Sequence, residues 1–289
     1  MALAIPSLPS SSAVSSEASS LPVKPDLWRR YQTIVNDSRY SHFTRIPERI
    51  VRFLDTVQIE FDRNKVLERL LSHYLFIAVV DDAIDSGEDG VAQTVFACFR
   101  DVAGGLNDAA RASEVAIVTE ILRCQVEEDN RMGMLRALQR AHCEVIRERT
   151  TTSVGAYIKY RKALGRATAK QSYLLIRSAL TEPNQELCRM MEEIGAVGCL
   201  VDSMIDIRDD HRSGLVNFQL TATGYVRLCV HTAIAGLRVW AKKPSLTLLL
   251  TEAVFDNIRD RGRPATIPQA QSSRQPIAQS FPGSVAHRL

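Results

Sequence analysis

The sequence has no apolar run long enough to cross a membrane, since its longest, residues 75–80, falls far short of the roughly 20 residues that a bilayer requires. Its net charge is only +3, so composition gives no reason to expect a nucleic-acid or membrane-surface partner. We therefore expect a soluble protein. The six cysteines form no CxxC pair and no zinc-like spacing with histidine, which predicts free thiols in the reducing cytoplasm.

Several common sequence motifs are also missing. There is no glycine-rich phosphate loop of the P-loop or dinucleotide-binding type, no GxSxG nucleophile motif and no internal repeat. The chain has no convincing stretch of alternating apolar and polar residues, the pattern typical of β-strands. These absences exclude the usual signatures of nucleotide-binding proteins, α/β-hydrolases and repeat proteins, and they favour an all-α fold.

The composition that remains is that of one globular helical domain. Hydrophobic residues make up 45% of the 289 residues and charged residues 24%, enough for a sizeable core. We expect a helical domain over residues 27–261, a disordered tail over 1–26 without signal-peptide or transit-peptide features, and a flexible tail over 262–289. Apolar residues at three- and four-residue spacing predict helices over 47–57, 66–85, 91–103, 108–127, 131–149, 152–163, 166–180, 184–211, 224–241 and 244–260.

A first acidic group closes the apolar helix predicted over 66–85. Asp81 and Asp85 are four residues apart and so share one helix face, with Asp82 beside them. Like charges at this spacing repel one another, and at a helix C-terminus they also oppose the helix dipole. A hard divalent cation such as Mg²⁺ would compensate for this arrangement, because it prefers carboxylate oxygens.

A second acidic group lies at the end of the helix predicted over 184–211. Asp202, Asp206 and Asp210 recur every four residues along one stripe. Arg208 and Arg212 are close enough in sequence to be candidates for binding phosphate oxygens. Either acidic group alone is more often a solvated helix end, but two such groups, each closing an apolar helix, predict a shared metal site.

The two acidic groups resemble the aspartate-rich motifs of the class I isoprenoid synthase superfamily, which includes terpene synthases and squalene and phytoene synthases. Residues 81–85 are similar to the first motif, and Asp202, Asp206 and Asp210 resemble the second. The resemblance covers roughly residues 27–220. It implies a single antiparallel helical bundle with a central active-site cavity. In that bundle the six aspartates would bind about three Mg²⁺ ions and a geranyl, farnesyl or geranylgeranyl diphosphate.

Arg161 belongs to a third stretch that carries the resemblance. Residues 156–165, which include Tyr157 and Tyr160, are similar to the Tyr-Leu-x-x-Arg stretch of terpene cyclases, and this implies that Arg161 contacts the diphosphate. An ordinary exposed arginine is the alternative. This stretch favours cyclisation of one prenyl diphosphate, whereas the all-aspartate second motif favours the condensation of two, as in squalene synthases.

The resemblance assigns a role to each of these side chains. The candidate catalytic residues are Asp81, Asp82, Asp85 and Arg161, and the candidate diphosphate-binding residues are Arg161, Arg208 and Arg212. We predict a terpene-synthase-like lyase, with condensation as the alternative. Beyond residue 220 the resemblance weakens, so a catalytically inactive helical binding protein is a further alternative, and a homodimer is left open.

Overall fold

The computed structural model describes residues 25–40, 45–100 and 112–246. Within these ranges the chain is built from α-helices joined by short turns, and the only β-type pairing is an isolated bridge between Phe61 and Leu180. The prediction of an all-α fold is confirmed. The helices are α1 (Pro25–Val35), α2 (Arg45–Thr56), α3 (Arg63–Asp85), α4 (Val91–Phe99), α5 (Glu114–Gln125), α6 (Glu128–Thr150), α7 (Val154–Ile176), α8 (Gln185–Arg212) and α9 (Ala222–Lys242).

Most helices form where the hydrophobic spacing predicts them, with ends shifted by a few residues. Side-chain caps fix several starts: Asp62 Oδ1 accepts a hydrogen bond from Lys65 N at 3.0 Å, and Asn184 Oδ1 accepts one from Leu187 N at 2.7 Å. The helix predicted over 244–260 and both predicted tails lie outside the described residues, except that 244–246 form a 3₁₀ turn and α1 begins at Pro25. None of the described helices is both long enough and apolar enough to cross a membrane.

The prediction of two separate helices over 152–163 and 166–180 is wrong, because α7 runs through the whole region as far as Ile176. The expected break falls at Gly165, which does not end the helix. Gly165 instead lies where α7 crosses α8, so close to the backbone of Gly195 that a Cβ on either residue would overlap the other's carbonyl oxygen. Gly165 is therefore a packing residue, placed where two backbones approach closely.

The helices pack so that one end of the bundle collects most of the candidate site residues. α7 lies between α6 and α8, α9 packs on α8, and α3 contacts both α5 and α7. Apolar clusters fill the spaces between these helices, with fully buried side chains such as Leu70, Ile121 and Leu200. As a result the C-terminal ends of α3, α6 and α8 meet near the N-terminal part of α7, where ion pairs join them.

A buried polar group joins α3 to α7 beneath this end. His73 is fully buried, with Nε2 3.1 Å from Gln171 Oε1 and Nδ1 3.1 Å from Ser172 Oγ. Gln171 donates its own amide to Ala137 O, so its Oε1 accepts from His73, and the Ser172 hydroxyl then donates to the second ring nitrogen. Burial lowers the pKa of His73 to about 4, so the ring is neutral at physiological pH.

His73 is expected to make the fold sensitive to mild acid. A histidine whose pKa is lower in the folded than in the unfolded protein stabilises the fold fully above the ordinary pKa of 6.5, and that contribution falls as the pH drops towards 4. Between pH 7.5 and pH 5 the free energy of unfolding of the parent should fall by about 2 kcal/mol relative to a His73→Gln variant. Urea unfolding of both proteins at the two pH values measures this difference. Parallel pH dependences would show that His73 is not held neutral.

Candidate functional site

The close crossing of α7 and α8 determines which side chains face each other near the acidic helix ends. The helices run antiparallel, with Tyr173 donating to Asn184 O at 2.9 Å at one end of the contact. Gly165 and Gly195 touch at the crossing, and one turn further on Arg161 reaches α8. The glycine contact therefore holds Arg161 beside the second acidic group.

Arg161 lies at the centre of the site. Its Nη2 donates to Asp202 Oδ2 at 3.1 Å, its Nη1 to Glu148 Oε1 at 3.3 Å and its Nε to Ser203 Oγ at 2.7 Å. Only 17% of the side chain is exposed. Burial alone would lower the pKa of Arg161, but the Glu148 and Asp202 carboxylates outweigh that effect and raise it, so the guanidinium stays charged.

The first acidic group faces the same space as the second. The Asp81 carboxylate contacts solvent, yet enough protein surrounds it that desolvation, followed by repulsion from Asp85, raises its pKa to about 6. Asp202 on α8 repels Asp81 as well, while Arg161 and Arg149 attract it. Asp81 therefore lies at the solvent-exposed end of α3, within electrostatic range of α8, where negative charge is only partly neutralised.

Asp82 and Asp85 are held by residues outside α3. Tyr40 Oη lies 3.3 Å from Asp82 Oδ2, and Arg39 Nη1 lies 3.4 Å from the same oxygen. Asp85 forms an ion pair with Arg149 at the end of α6. The partly exposed Arg39 and Arg149 thus neutralise Asp82 and Asp85. Asp81, by contrast, has no arginine in direct ion-pair contact among the described residues.

The second acidic group lines the side of α8 that faces α7. Asp202 pairs with Arg161, and Asp206 and Asp210 follow it at one-turn intervals, all three half-buried. Desolvation raises the pKa of Asp210, with Arg161 opposing the shift and both Asp202 and Asp85 adding to it. The electrostatic coupling of Asp210 to Asp85 shows again that the ends of α3 and α8 are close together.

Arg208 and Arg212 lie on a different face of α8 from the aspartate stripe. The Arg208 guanidinium stacks over the Tyr225 ring of α9, with its Cζ 5.1 Å from the ring centroid. Arg212 pairs at 3.0 Å with Asp209, and both side chains are largely exposed. The structure therefore does not bring the predicted diphosphate-binding pair to Arg161, and their proposed role stays a prediction.

Sequence reasoning missed the residues that complete this site from α6 and α5. Glu148 and Arg149 end α6, and Glu114 begins α5, where its carboxylate accepts from Tyr40 at 3.0 Å. Glu148 Oε2 is buried and has no hydrogen-bond partner among the described residues. Desolvation raises the pKa of Glu148, and Arg161 opposes that rise. A charged pair at the end of a helix is a common solvated pattern, so only tertiary structure identifies these side chains.

The Arg161→Lys substitution tests whether the three hydrogen bonds of the Arg161 guanidinium hold the site together. A lysine ammonium cannot donate in three fixed directions to Asp202, Glu148 and Ser203, so one or two half-buried acceptors would lose a partner. We expect a fall in the free energy of unfolding of about 2 kcal/mol, whereas the matched Arg208→Lys change should cost under about 0.5 kcal/mol. Chemical unfolding of both variants compares them directly, and equal losses would contradict a central role for Arg161.

The fit of these residues to a metal ion is mixed. The donors are carboxylate oxygens, which Mg²⁺ prefers, and Asp81 together with the unpartnered Glu148 Oε2 leaves negative charge and acceptor capacity to be satisfied. In the described part of the chain, however, no three His, Cys, Asp or Glu side chains are arranged closely enough to share one ion. The carboxylate oxygens of the site suit magnesium, but in the described conformation arginines neutralise some of these carboxylates.

Two of the aromatic side chains in this region lie close to the site. Tyr157 is fully buried and packs its ring against Phe218 with 5.1 Å between centroids. Tyr74 contacts the Ser172 hydroxyl at 3.5 Å, and its ring meets His73 edge to face. Tyr157 is thus part of the core beside Arg161, and Tyr74 is partly buried.

Comparison of the chain with protein-family models, with curated proteins and with solved structures finds no match. The resemblance to isoprenoid synthases therefore depends on the motifs alone, and the spatial arrangement of those motifs is an independent observation.

Proposed function

We propose that this protein is a magnesium-dependent, class I terpene-synthase-like enzyme that ionises an allylic prenyl diphosphate and converts the resulting carbocation to a terpene. The observation that supports it is the convergence of the two acidic groups, from α3 and α8, around the largely buried Arg161. A bundle of the isoprenoid synthase type with a central cavity, and a cytoplasmic location, belong to the same proposal.

The chemistry of the substrate explains why such a cluster of carboxylates would be useful. A diphosphate leaves only when its negative charge is neutralised as the carbon–oxygen bond breaks. Magnesium, when bound, would supply most of that neutralising charge. The residues that would hold it are the six predicted ligands, Asp81, Asp82, Asp85, Asp202, Asp206 and Asp210.

The chain's own cations have defined tasks in this reaction. Arg161, fixed by Glu148 and Ser203, would present a rigid guanidinium to the leaving group and keep it oriented. Arg149 is partly exposed in its ion pair with Asp85, so a phosphate oxygen would compete with Asp85 for it. Tyr157 and Tyr74 would exclude water from the allylic cation and stabilise it by cation–π contact worth about 1 kcal/mol.

A non-catalytic binding protein is the second candidate. The ion pairs of Arg39 with Asp82 and of Arg149 with Asp85 favour it, because they already neutralise part of the acidic group without any metal. Condensation of two prenyl diphosphates is the remaining alternative, and no described contact separates it from cyclisation. The product distinguishes these cases.

The decisive assay incubates the purified protein with Mg²⁺ and geranyl, farnesyl or geranylgeranyl diphosphate and examines the organic extract by mass spectrometry. A cyclic hydrocarbon of the substrate's own chain length indicates a terpene synthase, and a product of doubled length indicates condensation. Asp82→Ala and Asp206→Ala should each abolish turnover with helicity retained, while Asp209→Asn, whose carboxylate pairs with Arg212 on another face, should keep it. Turnover that survives in Asp82→Ala and Asp206→Ala would show that the metal assignment is wrong.

A further inference from the structure

α9 carries a continuous apolar stripe on the face opposite its buried side. The buried face is formed by residues such as Leu228, Thr232 and Val239. The stripe residues recur at three- and four-residue spacing, and each is 41–60% exposed: Val226, Val230, Ile234, Leu237 and Trp240. Scattered exposed apolar residues are ordinary on a surface, but a stripe along about 21 Å of helix marks an interaction surface.

A basic row borders this stripe on the side towards α7. Arg227, His231 and Arg238 lie along α9, and Lys162 and Arg166 approach them from α7. Burial lowers the pKa of Lys162, and repulsion from Arg238 and Arg166 adds to that effect. Among the described residues, none of the ion pairs involves Arg227, Arg238, Lys162 or Arg166. The positive charge along this side of the stripe is therefore not neutralised.

The other flank of the stripe also carries positive charge. There the exposed Arg208 of α8 lies over the Tyr225 ring, with its Cζ 5.1 Å from the ring centroid. α9 itself contains no acidic residue. Glu193 of α8 reaches α9, but it is paired with Lys242 at the end of the helix. The stripe thus has basic side chains on both sides, a local concentration that the net charge of only +3 conceals.

We propose that α9 lies along the surface of an anionic lipid bilayer, with its apolar stripe at the boundary between headgroups and acyl chains and its basic row among the headgroups. Helices that bind membranes peripherally combine an apolar face, which enters about 5–10 Å, with Lys and Arg beside it. Anionic headgroups supply the negative charge that the basic row lacks.

The position of α9 in the bundle suits this role. Its buried face stays packed on α8, so the helix can enter the lipid boundary without any part of the core unfolding. The long Arg and Lys side chains beside the stripe can keep their charged ends among the headgroups while their stems follow the apolar surface. Trp240, at one end of the stripe, is of the residue type that membrane–water boundaries favour.

Protein partners fit the same surface less well. Two copies of α9 packed stripe to stripe would bring Arg227 and Arg238 of one copy towards the same row of the other, with no acidic side chain on either helix to offset the repulsion. A stable protein interface buries about 800 Å² on each side, which exceeds what the five half-exposed side chains of one helix face supply. A lipid surface needs no matching groove, and its charge is complementary.

Co-sedimentation of the full chain with lipid vesicles tests the proposal. Vesicles of phosphatidylcholine containing about one third phosphatidylserine should bind the protein on the order of tenfold more tightly than vesicles of phosphatidylcholine alone. Binding should not require the acidic site, so Asp81→Asn should bind the anionic vesicles as the parent does. Membrane binding and the proposed catalytic function can therefore fail separately.

Substitutions within the stripe test its apolar contribution. The pair Val230→Glu and Leu237→Glu changes side chains that are 49% and 60% exposed, so the fold should be kept while binding to anionic vesicles weakens at least about tenfold. The matched control is Ile146→Glu with Met132→Glu on α6, where the exposed fractions are 49% and 57%. The control adds the same charge elsewhere and should weaken binding less than about twofold.

A second pair of substitutions tests the basic row without changing the stripe. Arg166→Gln with Arg238→Gln should weaken binding to anionic vesicles on the order of tenfold and leave binding to neutral vesicles unchanged. Arg136→Gln with Arg140→Gln removes the same charge from the exposed side of α6 and should have little effect. Far-UV circular dichroism checks that all variants stay folded.

Trp240 reports directly whether the stripe meets the lipid. The protein contains two tryptophans, so Trp28→Phe leaves Trp240 as the sole indole, and its emission should move to shorter wavelength when anionic vesicles are added. The proposal is overturned if the parent does not bind anionic vesicles, or if the stripe pair and the α6 control pair bind equally well. It is equally overturned if light scattering shows a dimer that Val230→Glu with Leu237→Glu dissociates, because the stripe would then belong to a second copy.

Discussion

The Gly195→Ala substitution is expected to lower the free energy of unfolding by at least about 3 kcal/mol, despite the higher helix propensity of alanine. A Cβ at this position would lie 2.7 Å from Ala169 Cβ and would overlap the Gly165 carbonyl oxygen. Neither neighbour can swing away, because one is backbone and the other is a short side chain fixed to it. The two helices must therefore move apart, and the separation carries Arg161 away from Asp202.

Gly198 provides the matched control on the same helix. A Cβ at Gly198 meets nothing within 4 Å, so Gly198→Ala should raise the free energy of unfolding by up to about 1 kcal/mol through helix propensity. Chemical unfolding of both variants separates loss of packing from a general effect of glycine replacement. If Gly195→Ala were as stable as Gly198→Ala, the close crossing of α7 and α8 would be disproved, and with it the positioning of Arg161.

The Asp81→Asn substitution is expected to abolish turnover while making the protein more stable. Desolvation and repulsion from Asp85 raise the pKa of Asp81 to about 6, so its charged form opposes folding at neutral pH. Removing the charge should raise the free energy of unfolding at pH 7.5 by about 1 kcal/mol after solvent screening. Loss of the carboxylate should reduce magnesium-dependent diphosphate release on the order of a thousandfold.

The opposite signs of the two effects make Asp81→Asn informative. A carboxylate raised in pKa stabilises the fold only when protonated, so the stability advantage of the variant should shrink as the pH falls from 7 towards 4. Mg²⁺ should raise the melting temperature of the parent but not that of the variant. Asp209→Asn is the control, since its carboxylate pairs with Arg212 at the surface. A variant that is less stable than the parent would indicate that Asp81 serves as an ordinary structural ion-pair partner.

Hydrophobic spacing predicted most of the described helices, because most bury a regular apolar face, but α1 was not among the predicted helices. It failed at Gly165, since a glycine inside a helical pattern indicates either a break or a close helix contact, and only the position of Gly195 on another helix separates the two. Asn184, by contrast, acts locally as a helix cap, so its role as a helix boundary was readable from the sequence.

The candidate site shows the same division between local and tertiary information. Asp81 and Asp202 were predictable because each closes an apolar helix, and the structure places them within electrostatic range of one another. Arg161 was predicted from a short stretch of sequence, and it reaches Asp202. Glu148 and Arg149 were missed, because a Glu-Arg pair at the end of a helix is indistinguishable in sequence from solvated surface until α6 is docked beside α3 and α7.

The central claim is that the two acidic groups and Arg161 form one site for a diphosphate, and calorimetric titration with inorganic diphosphate tests it most directly. With Mg²⁺ present the parent is predicted to bind diphosphate saturably, and the binding should weaken on the order of a hundredfold in Asp81→Asn or Arg161→Lys but persist in Asp209→Asn. Binding that is absent with and without Mg²⁺, or that is unchanged by Asp81→Asn and Arg161→Lys, would contradict the account.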